Sequence, residues 1–398
     1  MGKGDTFKDK PFRYRDSYSG REIVRLTDYF GHSNHLYFTD PCWLGDGRSF
    51  IFTSDREGCS NLYSFHLDTQ EIKQLTGLER NGSERPAGCF SAANDCHYFW
   101  WGRQIIELDI ETLDERIVYE TPEGMSGFHA RPGVTADGKY ICTRIMKDEG
   151  GAGGIDFAYS RFYELFHAKP FSQMMRIEIA TGNAEVIHED NRFITHENPS
   201  PTLPDIMTFC HEGPWHLVEQ RIWGLNIQTG ERWKIRSQEG ENIAVGHEYW
   251  FADGERIGYH GMPTDDRGHH VYGHVKWDGT DGLETHFPFP STHFFSLDEK
   301  LIVGDGTAAA VFTHQGEAQP YIQLFERQGD EYEEARVLAY HRSTFNDQHA
   351  HPHPRFTPDG SHVMYSSDLS GYANIYLVEV GDVSDLPRLS ELGSPRHT

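Results

Sequence analysis

The sequence predicts an all-β fold, a single seven-bladed β-propeller over residues 1–398, and three observations carry that prediction. The first is a repeat. Pro41-Cys42-Trp43-Leu44-Gly45-Asp46-Gly47, then Phe50-Ile51-Phe52-Thr53-Ser54-Asp55, Gly58 and Asn61-Leu62-Tyr63, aligns without gaps with a second copy. That copy is Pro354-Arg355-Phe356-Thr357-Pro358-Asp359-Gly360, Val363-Met364-Tyr365-Ser366-Ser367-Asp368, Gly371 and Asn374-Ile375-Tyr376, displaced by 354 − 41 = 313 positions. Each copy reads strand, Asp-Gly turn, strand, loop, strand, the Asp and Gly supplying the turn conformations. Second, weaker copies lie between them, and seven units over six intervals give about 52 residues each, a propeller-blade period. Third, the first blade has a fourth strand at 70–76 and the last stops after its third at 375–380. Residues 20–27, Gly-Arg-Glu-Ile-Val-Arg-Leu-Thr, read as the missing strand, so the N-terminal strand completes the C-terminal blade and leaves no open edge.

Taken in chain order, the closing strand at 20–27 is followed by blades spanning 41–380. Blade two turns at Ser91-Ala92-Ala93-Asn94-Asp95, blade three at Thr135-Ala136-Asp137-Gly138 and blade four at Leu203-Pro204-Asp205. Blade five turns at Phe251-Ala252-Asp253-Gly254 and blade six at Ser296-Leu297-Asp298. Blade three carries an insertion over 147–172, with paired glycines ahead of Phe157, Tyr159, Phe162, Tyr163 and Phe166, readable as a lid or as a packed excursion. Residues 381–398, polar and aperiodic, read as a peripheral tail.

A net charge of −25 argues against nucleic acid or an anionic membrane as partner, and an anionic ligand would need a local island of positive charge. The six cysteines show no CxxC spacing and read as buried thiols of a reducing compartment. No apolar leader or membrane span is present in this sequence, which points to the cytoplasm.

Loops entering the inner strands share one face of a propeller with the loops joining strands two and three. Six residues before each repeat Asp stand His353 (359 − 6), His247 (253 − 6), Arg131 (137 − 6) and Thr292 (298 − 6), with His293 beside the last. Equivalent positions ring the axial mouth, so His247, His293, His351 and His353 should converge there. His351 and His353 alternate onto one face of an extended chain, with Gln348 reaching back from the preceding loop. Three neutral imidazoles (His293, His351, His353) and the Gln348 amide oxygen suit a borderline divalent metal and suit Ca or Mg poorly. His247 is then an unliganded imidazole suited to general-base work. His32 and His35 read as rim residues. The loop His211-Glu212-Gly213-Pro214-Trp215-His216, with Arg221 after it, opens on the same face.

At Gln348-x-x-His351-x-His353, at His211-Glu212-Gly213-Pro214-Trp215 continuing to Gln220-Arg221-Ile222-Trp223, and at Gly246-His247-Glu248-Tyr249-Trp250, the chain resembles the oligogalacturonate lyases, polysaccharide lyase family 22. The resemblance runs from about Phe12 to Val380. It implies Mn²⁺ held by His293, Gln348, His351 and His353, His247 as the proton-abstracting base, and Arg221 binding a uronate carboxylate. It also implies metal-dependent β-elimination of short, saturated or unsaturated galacturonate oligomers to 5-keto-4-deoxyuronate in cytoplasmic pectin breakdown. His211 and His216 are candidates for substrate contact and, with water, for the leaving-group acid. Two other readings fit the same face: a metal-dependent hydrolase, and a non-enzymatic scaffold of the TolB type. Oligomeric state is not legible.

Overall fold

The computed structural model describes residues 2–79, 85–86, 88–127, 129–148, 160–265, 269–287, 291–307 and 319–392. Seven antiparallel sheets follow one another along the chain, one per blade. Blade five shows the plain pattern: Ile243–Trp250 pairs with Arg256–Pro263, that with Val271–Lys276, and that with Leu283–His286. Strands such as Ser49–Ser54, buried at every position, explain why the blades read as continuous apolar runs. Each sheet is covered on both faces by its neighbours.

The predicted closure is present. Glu22–Arg25 lies against Asn374–Glu379, with Ile23 opposite Val378 and Arg25 opposite Tyr376. The chain N-terminal to it contributes more than the sequence suggested. Phe12–Arg15 adds a fifth strand to blade seven, and Thr6–Phe7 adds one to the outer edge of blade one. Ile23 thereby joins a core cluster with Tyr321, Val363, Tyr365 and Tyr376.

The segment after 380 lies at the periphery yet is packed. It runs along the outer edge of blade six, where Leu389 N donates to Ala335 O and Val337 N to Pro387 O. Its apolar residues Val383, Leu386 and Leu389 are buried. Part of the blade-three insertion, 149–159, lies outside the described residues. The remainder forms the helix Ser160–Ala168, which buries Leu165 and sets Phe162 edge-on to Phe193 at 5.6 Å. All six cysteines are free thiols, and only Cys59 is not buried. No helix among the described residues is long and apolar enough to cross a membrane.

Candidate active site

Backbone register defines the mouth better than sequence counting does. The residue that opens each inner turn donates its N–H across the turn: Thr357 to His362, Phe251 to Arg256, Ser200 to Ile206, Thr135 to Tyr140 and Leu44 to Ser49. Four positions earlier stand His353 (357 − 4), His247 (251 − 4), His196 (200 − 4), Arg131 (135 − 4) and Asp40 (44 − 4). Blade six supplies His293. Its turn is a residue shorter, Ser296 pairing with Ile302 where Phe356 pairs with Val363, which shifts the count from Asp298 by one. The blade-two equivalent, Ala87, lies outside the described residues.

Three of these histidines share a device. His196, His247 and His353 have φ of 56°, 52° and 45°, the left-handed region, and the ladder skips at each of the first two. A bulge with one strained residue re-aims a side chain out of the pleat and toward the axis. The glutamates after two of them, Glu197 and Glu248, are buried against an arginine of the preceding blade, Arg144 at 3.5 Å and Arg221 at 3.2 Å. These buried ion pairs lock the bulges in place.

His293, His351 and His353 each bring a ring nitrogen within 4.8 Å of the others, and all three are buried. His293 is fixed from behind: Asp305 accepts from its ring Nδ1 at 2.6 Å and from its backbone N–H at 2.8 Å. That leaves Nε2 as the free donor atom, the usual arrangement of a carboxylate-oriented metal-binding histidine. Burial pushes the Asp305 carboxyl up, but the His293 contact outweighs it and the net shift is downward. His351 Nδ1 and His353 Nε2 are buried with no hydrogen-bond partner. Burial, and then His293, lowers the His351 pKa to about 3 and holds His353 well below the ordinary value, so both are neutral donors. Unpaired buried nitrogens are costly unless something occupies the space between them. The set therefore fits a divalent, borderline-soft metal. Gln348 opens the 3-10 turn Gln348–Ala350, capped by Asp347, whose end delivers His351.

His247 stands beside this triad, its ring 4.5 Å from that of His293. Its Nδ1 is 3.0 Å from His260 Nε2, and Trp215 packs edge-on at 4.8 Å. Burial, with His293, His260 and Arg221 adding to it, holds its pKa well below the usual imidazole value.

Arg221 is at the mouth but enclosed, 1% exposed. Nη1 and Nη2 donate to Glu212 at 2.7 and 3.2 Å, and Nε to Glu248 at 3.2 Å. Its fork is thus occupied by protein carboxylates, and Glu248 in turn lies 3.1 Å from His196 Nδ1. His196, Cys210 and Glu212 also cluster, but Arg221 takes both Glu212 oxygens and burial raises the Cys210 thiol well above its usual range, so this group is an ion-pair network. Removing Arg221 leaves two buried carboxylates uncompensated. Arg221→Ala should cost about 3–5 kcal/mol of stability, read by urea denaturation.

Across this face lie two aromatic rings that sequence reasoning overlooked. Tyr37 approaches His353 (4.9 Å) and His196 (5.9 Å), with Arg131 over its ring at 4.3 Å. Phe38 packs on His293 at 5.6 Å. Arg131 is itself ion-paired with Asp40.

The model of the oligogalacturonate lyases matches residues 1–384 of the chain. The protein belongs to the oligogalacturonate lyase family. An oligogalacturonide lyase of Pectobacterium atrosepticum is 29% identical over 96% of this chain and 99% of its own length. An oligogalacturonate lyase of Dickeya dadantii is 28% identical over the same shares. The solved structure of an oligogalacturonate lyase in complex with manganese superposes with a TM-score of 0.83 at 26% identity, covering 97% of this chain and 99% of that one.

Of the residues expected from the sequence, His247, His293, His351 and His353 do meet at the mouth of this lyase-family propeller. His211 goes elsewhere: its Nε2 faces Asp190 at 3.4 Å and its ring packs on Trp223 at 5.3 Å, because alternation along Ile206–His211 turns it away from Cys210 and Glu212. His216 is exposed on the 3-10 turn Trp215–Leu217. His35 is a buried brace and not a rim residue, both ring nitrogens lying on backbone carbonyls, of Leu36 at 2.6 Å and Pro352 at 3.2 Å. His32 Nδ1 accepts from Ala373 N at 3.1 Å. His196, Asp305 and His260 were missed. The dipeptide His196-Glu197, matching His247-Glu248, is the one signal that could have revealed the first.

Proposed function

We propose that the protein is a metal-dependent oligogalacturonate lyase, with Mn²⁺ held by His293, His351, His353 and Gln348 and with His247 as base. The observation that carries this reading is the pair of unpartnered buried nitrogens on His351 and His353, facing Asp305-anchored His293 with a neutral imidazole alongside. A 4-linked uronate loses its C5 proton and then its C4 oxygen. The proton is weakly acidic because the adjacent carboxylate disfavours a carbanion. A bound divalent cation supplies Lewis-acid neutralisation of that carboxylate. Everything else falls to the chain. His247, with Nδ1 engaged by His260, takes the C5 proton at Nε2. Burial keeps it unprotonated and ready to accept. Arg221, through Glu248, fixes the bulge that aims His247; it acts from behind the site. Tyr37 and Phe38 exclude water from the ring. As the C5 proton passes to His247 the C4–O bond breaks; the glycosidic oxygen leaves on C1 of the departing residue and takes a proton from water, and the unsaturated product opens to 5-keto-4-deoxyuronate. Free thiols throughout are in keeping with a cytoplasmic setting.

The test weighs the products of digalacturonate and its unsaturated form, with and without chelator and added Mn²⁺. Elimination conserves total mass, so monomers at elimination mass, lost on chelation and restored by Mn²⁺, are expected. Products heavier by one water would indicate hydrolysis. Turnover indifferent to chelation would remove the metal.

A further inference from the structure

Arg85 enters the mouth just ahead of Gly88–Ser91, the inner strand of blade two. Its Nη1 donates to Asn34 Oδ1 at 2.9 Å, and Asn34 Nδ2 donates to the His349 carbonyl at 2.6 Å. The guanidinium therefore stands one amide away from the turn that delivers His351. The other arginines here each have more partners: Arg131 meets Asp40, Arg144 meets Glu197 and the Ile194 carbonyl, Arg221 meets Glu212 and Glu248, and Arg355 meets the carbonyls of Tyr37 and Asp40. Arg85 has one amide contact and, among the described residues, no carboxylate at ion-pair distance. Burial destabilises its charge, and only the more distant Asp55 and Asp347 act against that. A guanidinium offers five N–H donors, and a desolvated one lacking an anion is poorly compensated. Planar, bidentate recognition of a carboxylate is what such a group favours. In a chain with a net charge of −25, a vacant cation next to the metal-binding turn is the feature a polyanion would find.

We propose that Arg85, positioned by Asn34, binds the carboxylate of the uronate adjacent to the one deprotonated, so that the site reads two successive carboxylates and favours a free flanking acid over its ester. This rests on the lyase reading above. Arg85 is not asked to do chemistry; it sets KM.

The experiment compares trigalacturonate with the same trimer methyl-esterified at both flanking residues, using Mn²⁺-loaded enzyme. For the wild type, esterification should raise KM about 10- to 100-fold with kcat little changed. Arg85→Ala should raise KM on the free acid by a similar factor, keep its metal, and show no further penalty on the ester, while Arg85→Lys recovers part of the loss. An ester penalty in Arg85→Ala as large as in the wild type overturns the proposal. Should Arg85→Ala not fold, Arg85→Gln serves in its place. Calorimetry in a His247→Ala background gives the same comparison as affinities. A wild type that binds both trimers but turns over neither would sink the lyase reading while this comparison still decides the role of Arg85.

Discussion

His247→Ala is expected to lower turnover of digalacturonate by about 10²–10⁴-fold while leaving bound metal unchanged. The separation of the two readouts follows from the geometry. His247 touches the triad by ring contact with His293 at 4.5 Å, yet the three nitrogens that converge belong to His293, His351 and His353. Nothing about those three depends on the 247 side chain, since Asp305 holds His293 from the opposite side. Truncation leaves the left-handed φ of 52° as it is, because alanine keeps the Cβ that carries the penalty. Gross unfolding is therefore not expected, and a thermal melt would check it. Kinetics on the metal-loaded variant is the measurement that decides. Activity near the wild-type level would remove His247 as the base.

His351→Ala and His353→Ala should lose metal and activity together. Each takes away one donor of three imidazoles, and the open coordination cannot be made up from the surroundings: Phe345 packs on the His351 ring at 4.6 Å and Phe38 on that of His353 at 6.1 Å. Metal analysis after dialysis, alongside activity with added Mn²⁺, reads both. Variants that keep stoichiometric metal would mean that the ion binds elsewhere, and the Asp305–His293 pair would then need another explanation.

Much of this was legible in the sequence because blades repeat. Where turn lengths match, as at Asp253 and Asp359, counting back puts His247 and His353 at the mouth. Where they differ, counting fails. Blade four spans its turn from Ser200 to Ile206, one residue longer than Thr357 to His362, so Asp205 does not mark the repeat position and His196 goes unseen. Residues that act from behind were also hidden. Asp305 and His260 lie on strands or loops whose neighbours are unremarkable, and only the folded backbone brings them to His293 and His247. The enclosure of Arg221 was illegible for the same reason, since Glu212 and Glu248 come from two different blades. The tail after 380 lacked periodicity because three apolar residues suffice to seat 3-10 turns on an existing edge.

The pairing of Ile23 with Val378 bears on when the enzyme can first work. The proposed metal ligands sit in the last two blades of the ring, and the sheet carrying His353 is finished by a strand that precedes the first blade. Asn34 and His349, which link Arg85 to the turn before His351, meet where blade one abuts blade seven. Synthesis must therefore pass the seventh blade before the site can assemble. Assembly of the site becomes a step that follows ring closure, and the strand Glu22–Arg25 must wait for Asn374–Glu379 before either supports catalysis.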